Sequence, residues 1–378
     1  MSKFDSIRHY HDSEVQEALS SILNHPMFKS LIAFTFPEKS ESELKEIFAS
    51  INSIDDFQSK FIYHSLQRVL AISSEGITTS GIEKLDADGA YLFISNHRDI
   101  LLDTSLLNVL LMDYGKKLTA SAVGDNLVTK SFILALAKLN RNFLVRRGLS
   151  PRELLMSSKL MSEFIYHSLT EEKRSVWIAQ REGRTKDGND ATNPGVLKMI
   201  GMASDEKDVM DYFKKLKIVP VSISYEYDPT DKLKIPQLLA QLKDEVYIKG
   251  KNEDFVNIMG GLLGQKKHIH IHIGDVIDSG IDQIKHQFDS SNKQVQALAN
   301  LLDREIISNY KLWSTNYIAY DIVYKTDKFS DKYTENEKQV FLKRLGLRVD
   351  KENEPLLQGF LAMYSNPVVN KMKYENES

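Results

Sequence analysis

His97 stands in the run Asn96-His97-Arg98-Asp99-Ile100-Leu101-Leu102-Asp103, directly after the apolar stretch Tyr91–Ser95. A neutral imidazole can take a proton from an alcohol. A carboxylate on its other ring nitrogen holds the tautomer and stabilises the imidazolium. Asp103 is the expected partner and Asp99 the alternative. Six positions along an unbroken helix would turn Asp103 to a different face, at about 100° per residue. One extra residue in a turn ahead of the helix restores the approach. Taken alone, a His and an Asp this close in a loop are more often a helix cap beside a surface carboxylate, so the neighbouring elements have to decide.

Two further apolar runs end in cations. Asn142–Val145 leads into Arg146-Arg147-Gly148, and Val176–Ala179 into Gln180-Arg181-Glu182-Gly183-Arg184-Thr185-Lys186-Asp187-Gly188. Arginine's planar fork suits phosphate, so Arg146, Arg147, Arg184 and Lys186 are candidate anion ligands. Gly183 lends its loop flexibility.

Composition narrows the chemistry. The chain of 378 residues contains no cysteine, which excludes disulfides, thiolate metal sites and an acyl-cysteine intermediate. The net charge of −3 gives no electrostatic footprint for nucleic acid. No apolar run approaches the length of about 20 residues that a membrane span requires. The N-terminal residues lack the apolar core of a signal peptide. A cytoplasmic protein is the expectation.

The elements that must position these residues follow from periodicity. Apolar residues recur at helical spacing in Val15, Ala18, Leu19 and Ile22, and again in Leu44, Ile47, Phe48 and Ile51. From about residue 76, short apolar runs alternate with helical stretches. That pattern predicts an α/β fold: a mixed, largely parallel sheet flanked by helices, with an N-terminal helical region. The expected strands are 77–80, 91–95, 142–145, 176–179, 218–224 and 269–273. The expected division is a helical region 1–75, an α/β domain 76–325 and a charged helical tail 326–378. Pro220 suggests that its strand lies at an edge or carries a bulge. In open sheets of this kind, ligands bind at the carboxyl ends of the strands, where His97, Arg146 and Arg184 all fall.

Four segments in this order, SNHRDILLD, NFLVRRG, QREGRTKDG and IVPVSISYE, resemble the successive blocks of the glycerophospholipid acyltransferases. The pattern is most similar to that of bacterial glycerol-3-phosphate and 1-acylglycerol-3-phosphate acyltransferases, and it spans about residues 76–226. Two departures stand out. The family spaces its His and Asp by four residues, whereas His97 and Asp103 enclose five. Arg181 and Glu182 stand where the family has Glu and Gly.

The resemblance implies transfer of an acyl group from acyl carrier protein or coenzyme A, as thioester co-substrate, to a hydroxyl of glycerol 3-phosphate or a lysophospholipid. His97 would be the general base and Asp103 its orienting carboxylate. Arg146 and Arg184, helped by Arg147 or Lys186, would hold the acceptor phosphate. No metal or further cofactor is implied. A groove for the acyl chain is expected, with Phe132–Leu139 and the glycine-rich run 259–264 as candidate linings.

Two other readings compete. His268, His270 and His272 share one face of a strand and invite a metal-dependent hydrolase. Ligands at i, i+2 and i+4 of a flat strand nevertheless diverge too far to close around one ion, which favours a half-buried strand with its Ile residues inward. The longer His–Asp spacing would also suit a non-catalytic lipid-binding protein on the same scaffold. Finally, residues 126–152 hold six basic side chains and no acidic one. Peripheral association with an anionic membrane surface, at its inner face, is expected through this segment.

Overall fold

The computed structural model describes residues 2–350 and 352–376. Seven strands form one sheet: β1 (Ser74–Ser80), β2 (Leu92–Ser95), β3 (Ala120–Gly124), β4 (Asn142–Val145), β5 (Val176–Ala179), β6 (Ile218–Tyr225) and β7 (Lys267–Ile273). Their order across the sheet is β1-β7-β6-β2-β5-β3-β4. Every neighbouring pair is parallel except β6 and β7. The fold is therefore the α/β architecture that the alternating pattern predicts.

β2 occupies the middle because it is apolar on both faces. Leu92 pairs in register with Val176 of β5 and with Ile218 of β6. Leu92 and Ile94 pack into a core with Phe164, Ile178 and Leu298. Phe93 points the other way, to Leu102, Leu106 and Ile271. Helices on both faces bury these two layers, so the end of β2 is held rigidly in the centre of the sheet.

Two features differ from the sequence expectation. β3 has no counterpart among the expected strands, because Ala120-Ser121-Ala122-Val123-Gly124 is small and only weakly apolar. It lies between β4 and β5, so the strands ending in Arg146 and Arg184 are not neighbours. β6 is an interior strand despite Pro220. Its pairing with β7 begins at Val221↔Ile273, and the Pro220 carbonyl accepts from Gly274 at 2.9 Å. The missing N–H thus falls where the neighbour has just ended.

The N-terminal helical region packs through Phe28, Phe48, Phe57 and Phe61, and the same cluster takes in Phe132, Ala135 and Leu139. Ser131–Leu139 therefore serves as core between this region and the sheet rather than as the lining of an acyl groove. Ile7 carbonyl accepts from Leu144 N at 2.9 Å, which covers the β4 edge. At the other end of the chain, helices Ser314–Tyr324, Glu335–Arg348 and Glu354–Glu375 share a core built on Ile318, Phe341, Phe360 and Tyr364. No helix among the described residues is long and apolar enough to cross a membrane.

Candidate active site

The end of β2 is fastened on three sides. Asn96 continues the ladder with its side chain: Nδ2 donates to Ile223 O at 2.9 Å, and Oδ1 accepts from Ile223 N at 2.8 Å. Trp177 Nε1 donates to Ser95 Oγ at 3.0 Å. Thr185 N donates to His97 O at 3.0 Å. The next residues form a turn, and the helix Leu102–Asp113 begins one residue before Asp103.

This geometry brings the imidazole and carboxylate together. His97 Nδ1 lies 2.8 Å from Asp103 Oδ2. The same oxygen accepts from Arg98 N at 2.7 Å and Asp99 N at 3.0 Å. Tyr225 donates its hydroxyl to Asp103 Oδ1 at 3.0 Å. Asp103 is fully buried, yet both of its oxygens are occupied, which is the condition under which a buried carboxylate can keep its charge. Burial and the nearby Asp103 charge push the Tyr225 hydroxyl well above its ordinary pKa, so it stays a donor. The His97 ring packs edge-on against Trp177, with centroids 5.7 Å apart. Its side chain remains 14% exposed.

Asp99 has a different task. Its Oδ1 accepts from Leu101 N at 3.0 Å and Leu102 N at 2.9 Å, closing the turn just ahead of the helix that carries Asp103. The extra residue of the His–Asp spacing is thus absorbed in the turn 99–101. Burial and then the Asp103 charge push the Asp99 carboxyl upward. Its Oδ2 faces the helix Glu253–Leu263 at Gly261, where a Cβ would overlap it. Gly261 lets this helix lie directly on the turn between His97 and Asp103.

The cations divide into two groups. Arg184 donates to Thr230 Oγ1 at 3.1 Å and to Asn257 Oδ1 at 2.9 Å. Both partners are neutral, and the Arg184 charge acts on the nearby Asp99 carboxyl. Lys186 donates to Arg184 O at 2.7 Å. Burial, then the charges of Arg184 and Lys234, push Lys186 down to about 7. Gly183 adopts φ +71 and Gly188 φ +78. A Cβ at Gly188 would meet Met363 O at 2.5 Å, and Asn366 Nδ2 donates to Asp187 O at 2.7 Å. The C-terminal helix thereby shapes the loop that carries Arg184 and Lys186.

Arg146 and Arg147 sit two strands away, both exposed. Arg147 pairs with Glu182 at 2.6 Å and donates its N–H to Asp125 at 3.1 Å, so the two cation-bearing loops touch. Arg141 is buried and pairs with Asp55 at 2.7 Å. It belongs to the packing of the N-terminal region.

Several contributors have no role in the sequence reading. Asn96 and Arg98 flank His97, and Tyr225 lies in the fourth block. Asp190 takes Arg98 Nη2 at 2.5 Å and Thr185 Oγ1 at 2.5 Å, together with the Tyr310 hydroxyl. Lys234 pairs with Asp228 and donates to Arg98 O at 3.0 Å. Adjacency to His97 is the signal that could have found Asn96 and Arg98. Nothing in the spacing points to Asp190 or Lys234.

The three histidines of β7 do not converge. His268 Nδ1 lies 2.6 Å from Glu226, His270 Nδ1 2.9 Å from Thr78 Oγ1, and His272 Nδ1 2.8 Å from Ser80 Oγ. Ile269, Ile271 and Ile273 fill the core on the opposite face. No group of three such ligands able to hold a metal ion occurs among the described residues. The hydrolase reading loses its site.

A family model described as Acyltransferase matches residues 76–224. No curated protein matches the chain. Among solved structures, the chain is similar to the 1-acyl-sn-glycerophosphate (LPA) acyltransferase from Thermotoga maritima, at 13% identity and a TM-score of 0.36, covering 78% of this chain and 94% of that one. The family match and the geometry of the site, rather than this structural likeness, bear on function.

Proposed function

Taking residues 76–224 as a member of the acyltransferase family, we propose that the protein moves a fatty acyl group from a thioester of acyl carrier protein or coenzyme A to a hydroxyl of glycerol 3-phosphate or a lysophospholipid. The observation that carries this reading is the His97 Nδ1–Asp103 Oδ2 contact of 2.8 Å, beside the half-buried cations Arg184 and Lys186. With Nδ1–H directed at Asp103, Nε2 takes the proton of the acceptor hydroxyl. The freed oxygen attacks the thioester carbonyl. The tetrahedral intermediate then expels the thiolate, which takes its proton from the imidazolium, so base and acid are one residue. No protein nucleophile is consumed.

Arg184 and Lys186 hold the acceptor phosphate in this reading. Their loop is tied to the catalytic turn through Thr185 N and His97 O, which fixes the distance between phosphate and hydroxyl. Arg146, beside the Arg147–Glu182 pair, takes a second anionic group in this reading. The non-catalytic alternative has the long spacing as its main support, and the 2.8 Å contact favours the catalytic reading over it. Acceptor-dependent thiol release from palmitoyl-coenzyme A, compared between wild type and His97→Ala, tests the proposal. Equal release from both would end it.

A further inference from the structure

The loop 180–193 carries Arg184 and Lys186, and near its end stands a buried carboxylate, Asp190, that the proposed chemistry does not use. The loop is closed at its base, where Gln180 N donates to Ser95 O at 2.8 Å and Asn193 N donates to Gln180 O at 2.9 Å. Between these points Gly183 and Gly188 both adopt positive φ. Such a segment has no ladder of its own, so side chains must fix where its cations stand.

Asp190 supplies the fixing point. It is buried, and three buried donors from different segments converge on it. Thr185, between Arg184 and Lys186, donates Oγ1–H to Asp190 Oδ1 at 2.5 Å. Arg98, the residue after His97, donates from Nη2 to Oδ2 at 2.5 Å. The Tyr310 hydroxyl, just beyond the helix Ser291–Ser308, donates to the same oxygen. Burial, then the Asp190 charge, push that hydroxyl well above its ordinary pKa, so it stays a donor. A buried carboxylate held by charge-assisted bonds on both oxygens is a stiff joint.

The joint lies between the two halves of the proposed site. On one side, Arg98 N and His97 Nδ1 share Asp103 Oδ2. On the other, Thr185 N donates to His97 O at 3.0 Å. That single backbone bond lets the loop pivot about it. The bonds from Arg98 and Thr185 to Asp190 add a second point, and two points fix the distance from the loop's cations to the imidazole. Arg184 is held separately by Thr230 and Asn257. Loss of the joint therefore leaves a cation that still binds an anion, at the wrong distance from the base.

We propose that Asp190 is a positioning residue: by clamping Arg98 and Thr185 together, it sets the span between the acceptor's phosphate at Arg184 and Lys186 and its hydroxyl at His97. Asp190 acts through these neighbours and touches no substrate. This role rests on the proposed acyl transfer and deepens it, since it assigns the spacing that lets one end of the acceptor be anchored while the other reacts. Misplacing a bound reactant by about 1 Å costs on the order of 10²-fold in rate.

Asp190→Asn would strand the buried Arg98 charge and endanger the fold, so the test removes the donors to Asp190 one at a time in the full chain. Thr185→Val keeps the backbone N–H and removes the hydroxyl, and Thr185→Ser retains it. Tyr310→Phe removes a bond to the same carboxylate outside the link between turn and loop. Calorimetric titration with glycerol 3-phosphate gives affinity and the number of competent sites per chain. Thiol release from palmitoyl-coenzyme A gives turnover with glycerol 3-phosphate or lysophosphatidic acid, whichever wild type acylates. Thr185→Val should keep its site number and bind within about threefold of wild type, while turnover falls about tenfold or more. Thr185→Ser and Tyr310→Phe should stay within about threefold of wild type in both. Wild-type turnover in Thr185→Val would overturn the inference. An equal loss in Tyr310→Phe would reduce Asp190 to support of the fold, and affinity falling in step with turnover would place Thr185 in the phosphate site instead. Each of these outcomes leaves the proposed function standing. A wild type that acylates neither acceptor removes that function and the positioning role with it.

Discussion

His97 and Asp103 are separated by five residues in the chain, and their side chains meet at 2.8 Å because Asp99 closes the intervening turn. The two carboxylates thus do different work, which makes their substitutions separable. Asp103→Asn keeps an oxygen for the backbone donors but removes the charge that stabilises the imidazolium. Turnover should fall by roughly 10³–10⁴, as for the corresponding change in other such pairs. Asp99→Asn retains the oxygen that accepts from Leu101 N and Leu102 N and leaves the His97–Asp103 contact in place, so it should cost less than about threefold in turnover. Steady-state kinetics of both variants give the ratio, and a larger loss for Asp99→Asn would reverse the assignment.

Lys186 predicts a pH dependence of acceptor binding. Its pKa is pushed down to about 7 by burial and by Arg184 and Lys234. The charged amine attracts a phosphate, so affinity is greatest below that value and declines as pH rises through it. Bound phosphate favours the ammonium and moves the decline to higher pH in the complex. The acceptor KM measured across about pH 6–9 should rise with pH. In Lys186→Arg, where the charge is permanent, the rise should disappear. An unchanged profile would take Lys186 out of the phosphate site.

Arg184 binds through two neutral side chains, Thr230 and Asn257. Arg184→Ala should raise the acceptor KM at least about tenfold, with a smaller change in turnover, and Arg184→Lys should recover only part because the fork is lost. The loss should vanish with an acceptor alcohol that lacks phosphate. Equal loss on both acceptors would give the arginine a structural role.

Gly261 tests the contact between the helix Glu253–Leu263 and the catalytic turn. A Cβ there overlaps Asp99 Oδ2, and Asp99 is held by its bonds from Leu101 N and Leu102 N. Gly261→Ala must therefore displace the helix. Asn257 moves with it, so the acceptor KM should rise severalfold while the midpoint of thermal unfolding drops by a few degrees, the size expected for about 1 kcal/mol. Gly260→Ala meets only the Leu233 side-chain terminus at 2.5 Å and should do less. Similar effects from both would mean that the helix is not registered on Asp99.

The sequence carries the site's outline further than its support. β2, β4 and β5 are legible as short apolar runs ending in polar chemistry, and the turn that brings Asp103 to His97 follows from helix geometry. β3 escapes because alanine and serine give no periodic signal, and its insertion between β4 and β5 separates Arg146 from Arg184. Pro220 points to an edge because the rule counts N–H groups along a strand, and here the neighbouring strand ends at that residue. Asp190 and Lys234 are invisible for another reason. Each is a charge buried by tertiary contacts from distant segments, with Tyr310 for Asp190 and the Arg98 carbonyl for Lys234, and no local pattern marks such a site. The histidine strand is the opposite case, a conspicuous pattern whose Ile residues fill the core and whose imidazoles bond to Ser, Thr and Glu.

The most direct measurement uses the absence of cysteine: every thiol that appears in a reaction with palmitoyl-coenzyme A comes from the donor. Thiol release is followed with a chromogenic disulfide, with and without glycerol 3-phosphate or lysophosphatidic acid, for wild type, His97→Ala and Asp103→Asn. The account predicts release that depends on one of these acceptors and yields an equal amount of acylated acceptor by mass spectrometry. It also predicts a fall of about 10²–10⁴ when the base is removed. Release at the wild-type rate from His97→Ala, or release without acceptor and without acylated product, would contradict acyl transfer by the His97–Asp103 pair.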